Sequence, residues 1–529
     1  MTDILANINM GPICFFLCLL MLFWLALRPL NPGANVFFTS DALFLAVFFG
    51  TIVSLRLQYY SWPEHYNFDE AQFIAGAMRL EQHPVFWRDV DCGSTGVLNI
   101  YPLFIPRFIF GNWNYFGERI FATFLQVLSL GFFIKSFSGK QQRVFARLAC
   151  VAIFALLTWA PPTDFLYYNG ESFPILLISI AIWLIATQRP KLPGVFIFGV
   201  LLGCLPYSKL QAVIMIFPLA FLFLCIFYSN TKAILTCIVG GILPSIILIG
   251  FLLVNNAFDD FIMRYVFSGA AYVAQSSRLS LSAILLPKYG GFNLWAIGAI
   301  NIMIFCAWMP KFLHSAKLSQ FFFWVVLGLG AALTVYVPGR GYAHYIYFLL
   351  LPLSGLLVTS MSRLQELVPE RQTYPLFLTL WLAPLLLIMP FGVNVGKDAV
   401  ALGPRAFARQ IQDTKSVSKK STMFVWGDMP TMFVNLGIPP ATRDAVTIFA
   451  IEKGVHQQYY KDCTKYDLQH SPPDFIVEAG GAFDYLYKNP ATTGIASWPW
   501  LSSFVTNNYE CTLKTQYGNL YKRRQPAQP

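Results

Sequence analysis

Charge is what this chain of 529 residues most lacks: Asp, Glu, Lys and Arg supply 12% of it, against 56% hydrophobic residues. Soluble domains carry nearer a quarter charged residues, so the balance excludes an ordinary soluble protein and points to the membrane class. Alternating segments of about ten residues are missing too, which excludes a spanning β-barrel. No CxxC pair and no Cys/His ligand spacing occurs, so no zinc site is expected. Walker A, strand-linked GxGxxG and GxSxG sequences are absent, which leaves chemistry driven by a cytoplasmic nucleotide unsupported. A reaction outside the cytoplasm would then need its activated group delivered on a lipid.

Apolar runs are what the chain has in abundance. Twelve spans are read near residues 10–28, 41–58, 117–135, 147–161, 173–187, 194–206, 211–228, 233–254, 291–309, 319–337, 344–361 and 375–393. Helices are the expected form, because backbone groups in lipid must bond within their own segment. The net charge of +11 fits basic cytoplasmic loops better than a nucleic-acid partner. With the N-terminus outside, each short cytoplasmic loop is basic: Lys140 and Arg143, Arg189 and Lys191, Lys232, Lys311 and Lys317, Arg363 and Arg371. The opening MTDILANINMGP has no basic n-region, so the first run reads as an uncleaved span of a multi-pass plasma (inner) membrane protein.

That orientation turns the loop 59–116 and the tail 394–529 outward, giving a membrane domain over 1–393 and an extracytoplasmic one over 394–529. Within the loop, YNFDEAQFIAGAMRL and YPLFIPRFIFGNW are amphipathic and aromatic, as interfacial helices are. The tail alternates short runs such as TMFVWGD and DFIVEAGG with Pro- and Gly-rich turns, which predicts a small α/β domain. Cys463 and Cys511 both fall in it and are a candidate disulfide.

Three groups carry possible chemistry. Asp69 and Glu70 are adjacent on a predicted helix, so they point about 100° apart and need not share a role. One can face a cavity while the other bonds to backbone or a base; a carboxylate in apolar surroundings accepts protons more readily. Helix capping or solvation is the plainer reading of such a pair. Basic residues form the second group: Lys209 in LGCLPYSKLQAV, Arg340, Tyr342 and His344 in VPGRGYAHYIYF, and Arg264 in a long outward loop. Several converging cations would bind phosphate, whereas each alone more often snorkels to headgroups. The third is PPTDFLYYNGESF, with Asp164, Tyr168 and Glu171, either a ligand loop or an aromatic belt.

The order of these pieces resembles the GT-C glycosyltransferases, in the branch of the protein O-mannosyltransferases and the lipid A aminoarabinose transferase. YNFDEAQFIAGAMRL, LGCLPYSKLQAV, GRGYAHYIYFLLLPLSGLL and, in the tail, FVWGDMPTMFVNLGIPPATR carry the likeness. It implies a sugar donor linked to polyprenyl phosphate and an acceptor that is a glycan, a glycolipid such as lipid A, or a protein. Asp69 is implied as catalytic base with Glu70 supporting it. Lys209, Arg340, His344, Tyr342, Arg88 and Arg264 are implied at the donor phosphate, with Asp164, Tyr168 and Glu171 toward the acceptor. No cofactor is expected. Gln72 stands where the aminoarabinose enzymes have arginine. A twelve-span transporter and a polyprenyl-linked glycan polymerase or ligase are the competing readings.

Overall fold

The computed structural model describes residues 10–27, 40–62, 67–159, 165, 167–186, 191–275, 318–340, 342–367, 402–414, 417–418, 420–479 and 489–524. Ten of the twelve apolar runs hold helices: Met10–Leu27, Ser40–Leu55, Tyr115–Lys135, Lys140–Trp159, Ser172–Ala186, Leu192–Ser208, Ile216–Phe227, Thr231–Val254, Leu318–Tyr336 and Tyr347–Leu367. The runs at 291–309 and 375–393 lie outside the described residues. Among the described residues, five helices are long and apolar enough to cross a bilayer. The architecture is a polytopic helical membrane fold.

Contacts divide the chain into two compact units. One gathers Met1–Tyr60, Ile120–Ile247 and Gln275–Gly396; the other gathers Ser61–Arg119, Leu248–Ala274 and Lys397–Pro529. The first long loop therefore groups with the tail.

The first unit is built on one apolar cluster that includes Phe48, Phe154, Phe198, Leu327 and Val358. Its helices differ sharply in surroundings. Tyr347–Leu367 is almost wholly enclosed, and its hydroxyls turn back on their own helix: Thr359 donates to Gly355 O, Ser360 to Leu356 O and Ser362 to Val358 O. A buried hydroxyl is thereby satisfied without a partner helix. Thr231–Val254 is the opposite case, exposing Leu235, Val239, Ile242 and Ile246 as a lipid-facing helix does. Where that helix meets Leu192–Ser208, glycines let the backbones touch. A Cβ added at Gly199 would strike Cys237 O, at Gly203 Gly241 O, and at Gly240 Phe196 O. Asp41, in the first turn of Ser40–Leu55, takes Arg147 at 2.8 Å and Arg143 at 3.7 Å.

The second unit is centred on a four-stranded sheet. Strands β1 (Met423–Trp426), β2 (Phe475–Ala479), β3 (Tyr509–Thr515) and β4 (Gly518–Arg523) lie in the order β1-β2-β4-β3. β1 runs parallel to β2, and the other pairs are antiparallel. Every residue of MFVW is buried, because both faces are covered. Met423 and Val425 pack with Phe407, Met432 and Phe433 on one face; Phe424 and Trp426 pack with Tyr460, Leu501 and Val505 on the other. Ala75, from the helix Phe68–Leu80, joins the first of these clusters, so the acid-bearing helix is part of the sheet's own core.

Candidate functional site

The helix Phe68–Leu80 starts where the sequence places it and for a local reason. Asn67 is extended, and its Oδ1 accepts the Asp69 N–H at 3.1 Å, a side-chain cap. Both acids then occupy the first turn, where the helix dipole favours negative charge. Their fates diverge at once. Glu70 is fully buried against an equally buried Arg119, which donates from Nε to Oε1 at 2.5 Å and from a terminal nitrogen to Oε2 at 2.9 Å. The other terminal nitrogen of Arg119 donates to Trp62 O at 2.6 Å, and the guanidinium lies 5.0 Å from the Tyr115 ring. Asp69 is half-buried. Tyr115 in turn bonds Thr431 of the tail, oxygen to oxygen 2.8 Å.

Further along the same helix, Gly76 lies where any Cβ would meet the Cys92 sulfur. Burial pushes the Cys92 thiol well up, and the Asp91, Asp444 and Asp69 carboxylates add to the effect. Beside it stands an ion cluster. Arg264, in the π-helical turn Ile262–Phe267, donates to Asp91 at 3.0 Å and Asp444 at 2.7 Å, with all three buried. Burial raises the Asp91 carboxyl to about 6, Arg264 opposing and Asp444 reinforcing the shift. Burial likewise works against the Arg264 charge, but Asp444 and Asp91 outweigh it and hold its pKa well above the usual arginine value. Arg443 grips Asp467 at 2.7 Å, and Tyr459 donates to Asp260 at 2.6 Å, which extends the cluster.

In the first unit, three candidates from separate loops converge. Lys209 ends the helix Leu192–Ser208 in extended conformation and pairs with Glu171. His344 Nε2 is 3.9 Å from Glu171 Oε2, and its Nδ1 is 3.4 Å from the Tyr167 hydroxyl. Lys209, Glu171 and His344 are all buried. The Lys209 ammonium lies 5.1 Å from the Tyr345 ring, and Tyr342 stacks on His344 with centroids 5.4 Å apart. Gly170 leaves room for the lysine: a Cβ there would sit 2.7 Å from Nζ.

The remaining candidates are scattered. Tyr168 is buried and stacked on Phe121 at 6.0 Å. Arg88 is salt-bridged to Asp89 at 2.9 Å and donates to Asn255 O at 2.7 Å. Arg340 is half-buried, and Asp164 lies outside the described residues. Cys463 and Cys511 are free thiols, with Cys463 on the helix Gln457–His470 and Cys511 exposed on β3. Sequence reasoning missed Arg119, Glu118, Asp91 and Asp444. The charges in GERIF, just inside an apolar run, were the available signal for the first two, since an intramembrane charge needs a partner. Among the described residues, no group of three or more His, Cys, Asp or Glu is placed to hold a metal ion.

This order of helices, followed by a sheet-containing tail, is a fold that the chain shares with solved structures. Among solved structures, the chain matches ArnT from Cupriavidus metallidurans bound to undecaprenyl phosphate. That match has a TM-score of 0.56 and 10% identity, and covers 90% of this chain and 97% of the other. The apo state of the same protein gives a TM-score of 0.52 with 12% identity over 91% and 98%. An oligosaccharyltransferase from Archaeoglobus fulgidus matches at 0.44 with 10% identity, over 88% and 69%. No family model matches the chain, and no curated protein matches it by sequence.

Proposed function

We propose that the protein is an integral-membrane glycosyltransferase that moves one sugar from a polyprenyl-phosphate donor to an acceptor hydroxyl on the outer face of the plasma membrane. The observation that carries the reading is the division of the acid pair: Arg119 neutralises Glu70 in the interior, while Asp69 stays half-buried at the helix N-terminus. In this reading Glu70 fixes the helix and Asp69 serves as the base. The shared fold with ArnT, solved with undecaprenyl phosphate, supports the donor class.

Asp69 takes the acceptor hydroxyl proton as the oxygen attacks the anomeric carbon. The new glycosidic bond forms as the bond from carbon to phosphate oxygen breaks, and its electrons leave with the lipid phosphate. Attack opposite the leaving group inverts the anomeric centre. By the position of their motifs, Lys209 and His344 are the candidates to meet the charge that develops on the phosphate. No cofactor enters this scheme. The acceptor class is a surface glycan, a glycolipid such as lipid A, or a protein.

The test is sugar transfer in membranes from a labelled polyprenyl-phosphate sugar, comparing the parent with Asp69→Asn at matched expression. A fall of about 10²–10⁴-fold is expected for loss of a general base. Transfer at the parent rate would remove Asp69 from the mechanism. Solute uptake into proteoliposomes without any sugar transfer would favour the transporter reading instead.

A further inference from the structure

Lys209, the cation assigned above to the donor phosphate, already has an anion. Glu171 is wholly enclosed, its Oε1 paired with the Lys209 ammonium. Its second oxygen, Oε2, is buried without a hydrogen-bond partner, and the His344 Nε2 stands 3.9 Å away, beyond hydrogen-bond range. The buried Asn169 lies next to this pair. Its Oδ1 accepts the Glu171 N–H at 3.1 Å and the Ser172 hydroxyl at 3.0 Å, yet its Nδ2 has no partner. Two unfilled polar atoms thus lie on neighbouring buried residues, one of them on the carboxylate that pairs with Lys209 and stands beside His344. Such groups are costly to leave unmet, so the arrangement is that of a site whose contacts are completed by a ligand.

The charges limit what that ligand encounters. Lys209 and Glu171 cancel, so an arriving phosphate meets a neutral pair and has to take the lysine from the carboxylate. The donor of the proposed reaction is a phosphodiester with one negative charge. Its product is a phosphomonoester, which gains a second charge near neutral pH. In a low-dielectric enclosure the repulsion from Glu171 grows with each added charge.

The geometry points to Glu171 as the resident counter-anion of Lys209: a positioning residue that competes with lipid phosphate for the lysine and disfavours the monoester product more than the diester donor. This rests on the reading of Lys209 and His344 as the phosphate site. Release of the spent lipid carrier is then assisted by a carboxylate built into the site.

The experiment measures binding of a polyprenyl monophosphate and of a polyprenyl phosphodiester to the full-length protein in nanodiscs, with uncharged polyprenol as control. Glu171→Gln is expected to tighten the monophosphate by about tenfold or more, and the diester by less. Lys209→Met abolishes the preference of both lipids over polyprenol, and Glu171→Gln adds nothing in the Lys209→Met background. A purely structural glutamate would give the opposite sign: removing it would loosen Lys209 and weaken both lipids, which overturns the inference. If Glu171→Gln does not fold, Glu171→Asp retracts the carboxylate by one methylene. Tightening then supports competition, and weakening refutes it. Wild-type protein that binds neither phosphate lipid better than polyprenol would remove the phosphate-site reading and this inference with it. Wild-type binding that Lys209→Met abolishes and Glu171→Gln fails to tighten would overturn only the inference.

Discussion

Arg119 meets Glu70 head-on, with two parallel hydrogen bonds of 2.5 and 2.9 Å and no solvent on either side chain. Removing one member of such a pair leaves a buried charge uncompensated, typically costing about 3–5 kcal/mol. Arg119→Met is therefore expected to lower the thermal midpoint in detergent by many degrees. Asp69→Asn, which keeps a polar group in the first helical turn, should shift it far less while stopping transfer. Equal destabilisation by both would mean that Asp69 is as structural as its neighbour.

Asp91 gives the second unit a pH dependence of definite sign. Its carboxyl titrates near 6 when folded and near 3.8 otherwise, with burial as the leading cause. Below about pH 4 both states hold the proton. Between about 4 and 6 the folded state keeps a proton that the unfolded chain has lost, so stability falls as pH rises through this window. The full penalty is roughly 3 kcal/mol above the window. Asp91→Asn should flatten that slope relative to the parent when unfolding is followed across the same pH range. An unchanged slope would assign the titration to another group.

Gly170 tests the lysine pocket from the side. A methyl there would stand 2.7 Å from the Lys209 nitrogen and 3.2 Å from its last two carbons, so the side chain has to move. Gly170→Ala is expected to weaken polyprenyl monophosphate about tenfold, the worth of one charge-assisted hydrogen bond. Affinity unaltered in a nanodisc binding assay would show that Lys209 has a second usable position.

Gly203 tests the closest helix approach. Its missing Cβ is what allows Leu192–Ser208 to rest against the Gly241 carbonyl. Overpacking of this kind typically costs about 1–3 kcal/mol. Gly203→Leu should lower the yield of folded protein on size-exclusion and its melting temperature, whereas Gly250→Leu, with nothing within 4 Å of the added carbon, should not.

Local patterns carried the sequence reading a long way. Apolar length located ten described helices, and the amphipathic stretch YNFDEAQFIAGAMRL holds the helix Phe68–Leu80. The short runs in TMFVWGD and DFIVEAGG, set between turns, hold the strands MFVW and FIVEA. Pairings across distance were not legible. Nothing near Arg264 names Asp91 or Asp444, which lie 173 and 180 residues away. Lys209 and Glu171 were each singled out, but for different ligands, because a sequence does not show that two loops converge. Arg119 was overlooked since its apolar neighbours concealed it at the head of a helix.

The cluster around Arg264 also sets an order of assembly. Its two carboxylates come from the first long loop and from the tail, and the sheet that receives Ala75 is made only from residues after 422. During synthesis the segment bearing Asp69 is thus complete long before the surface it packs on exists. A nascent chain cut short of Asp444 keeps its apolar helices yet has no seat for its acid-bearing helix. Premature termination before Asp444 would therefore leave a chain with its acid-bearing helix undocked, a target for proteolysis.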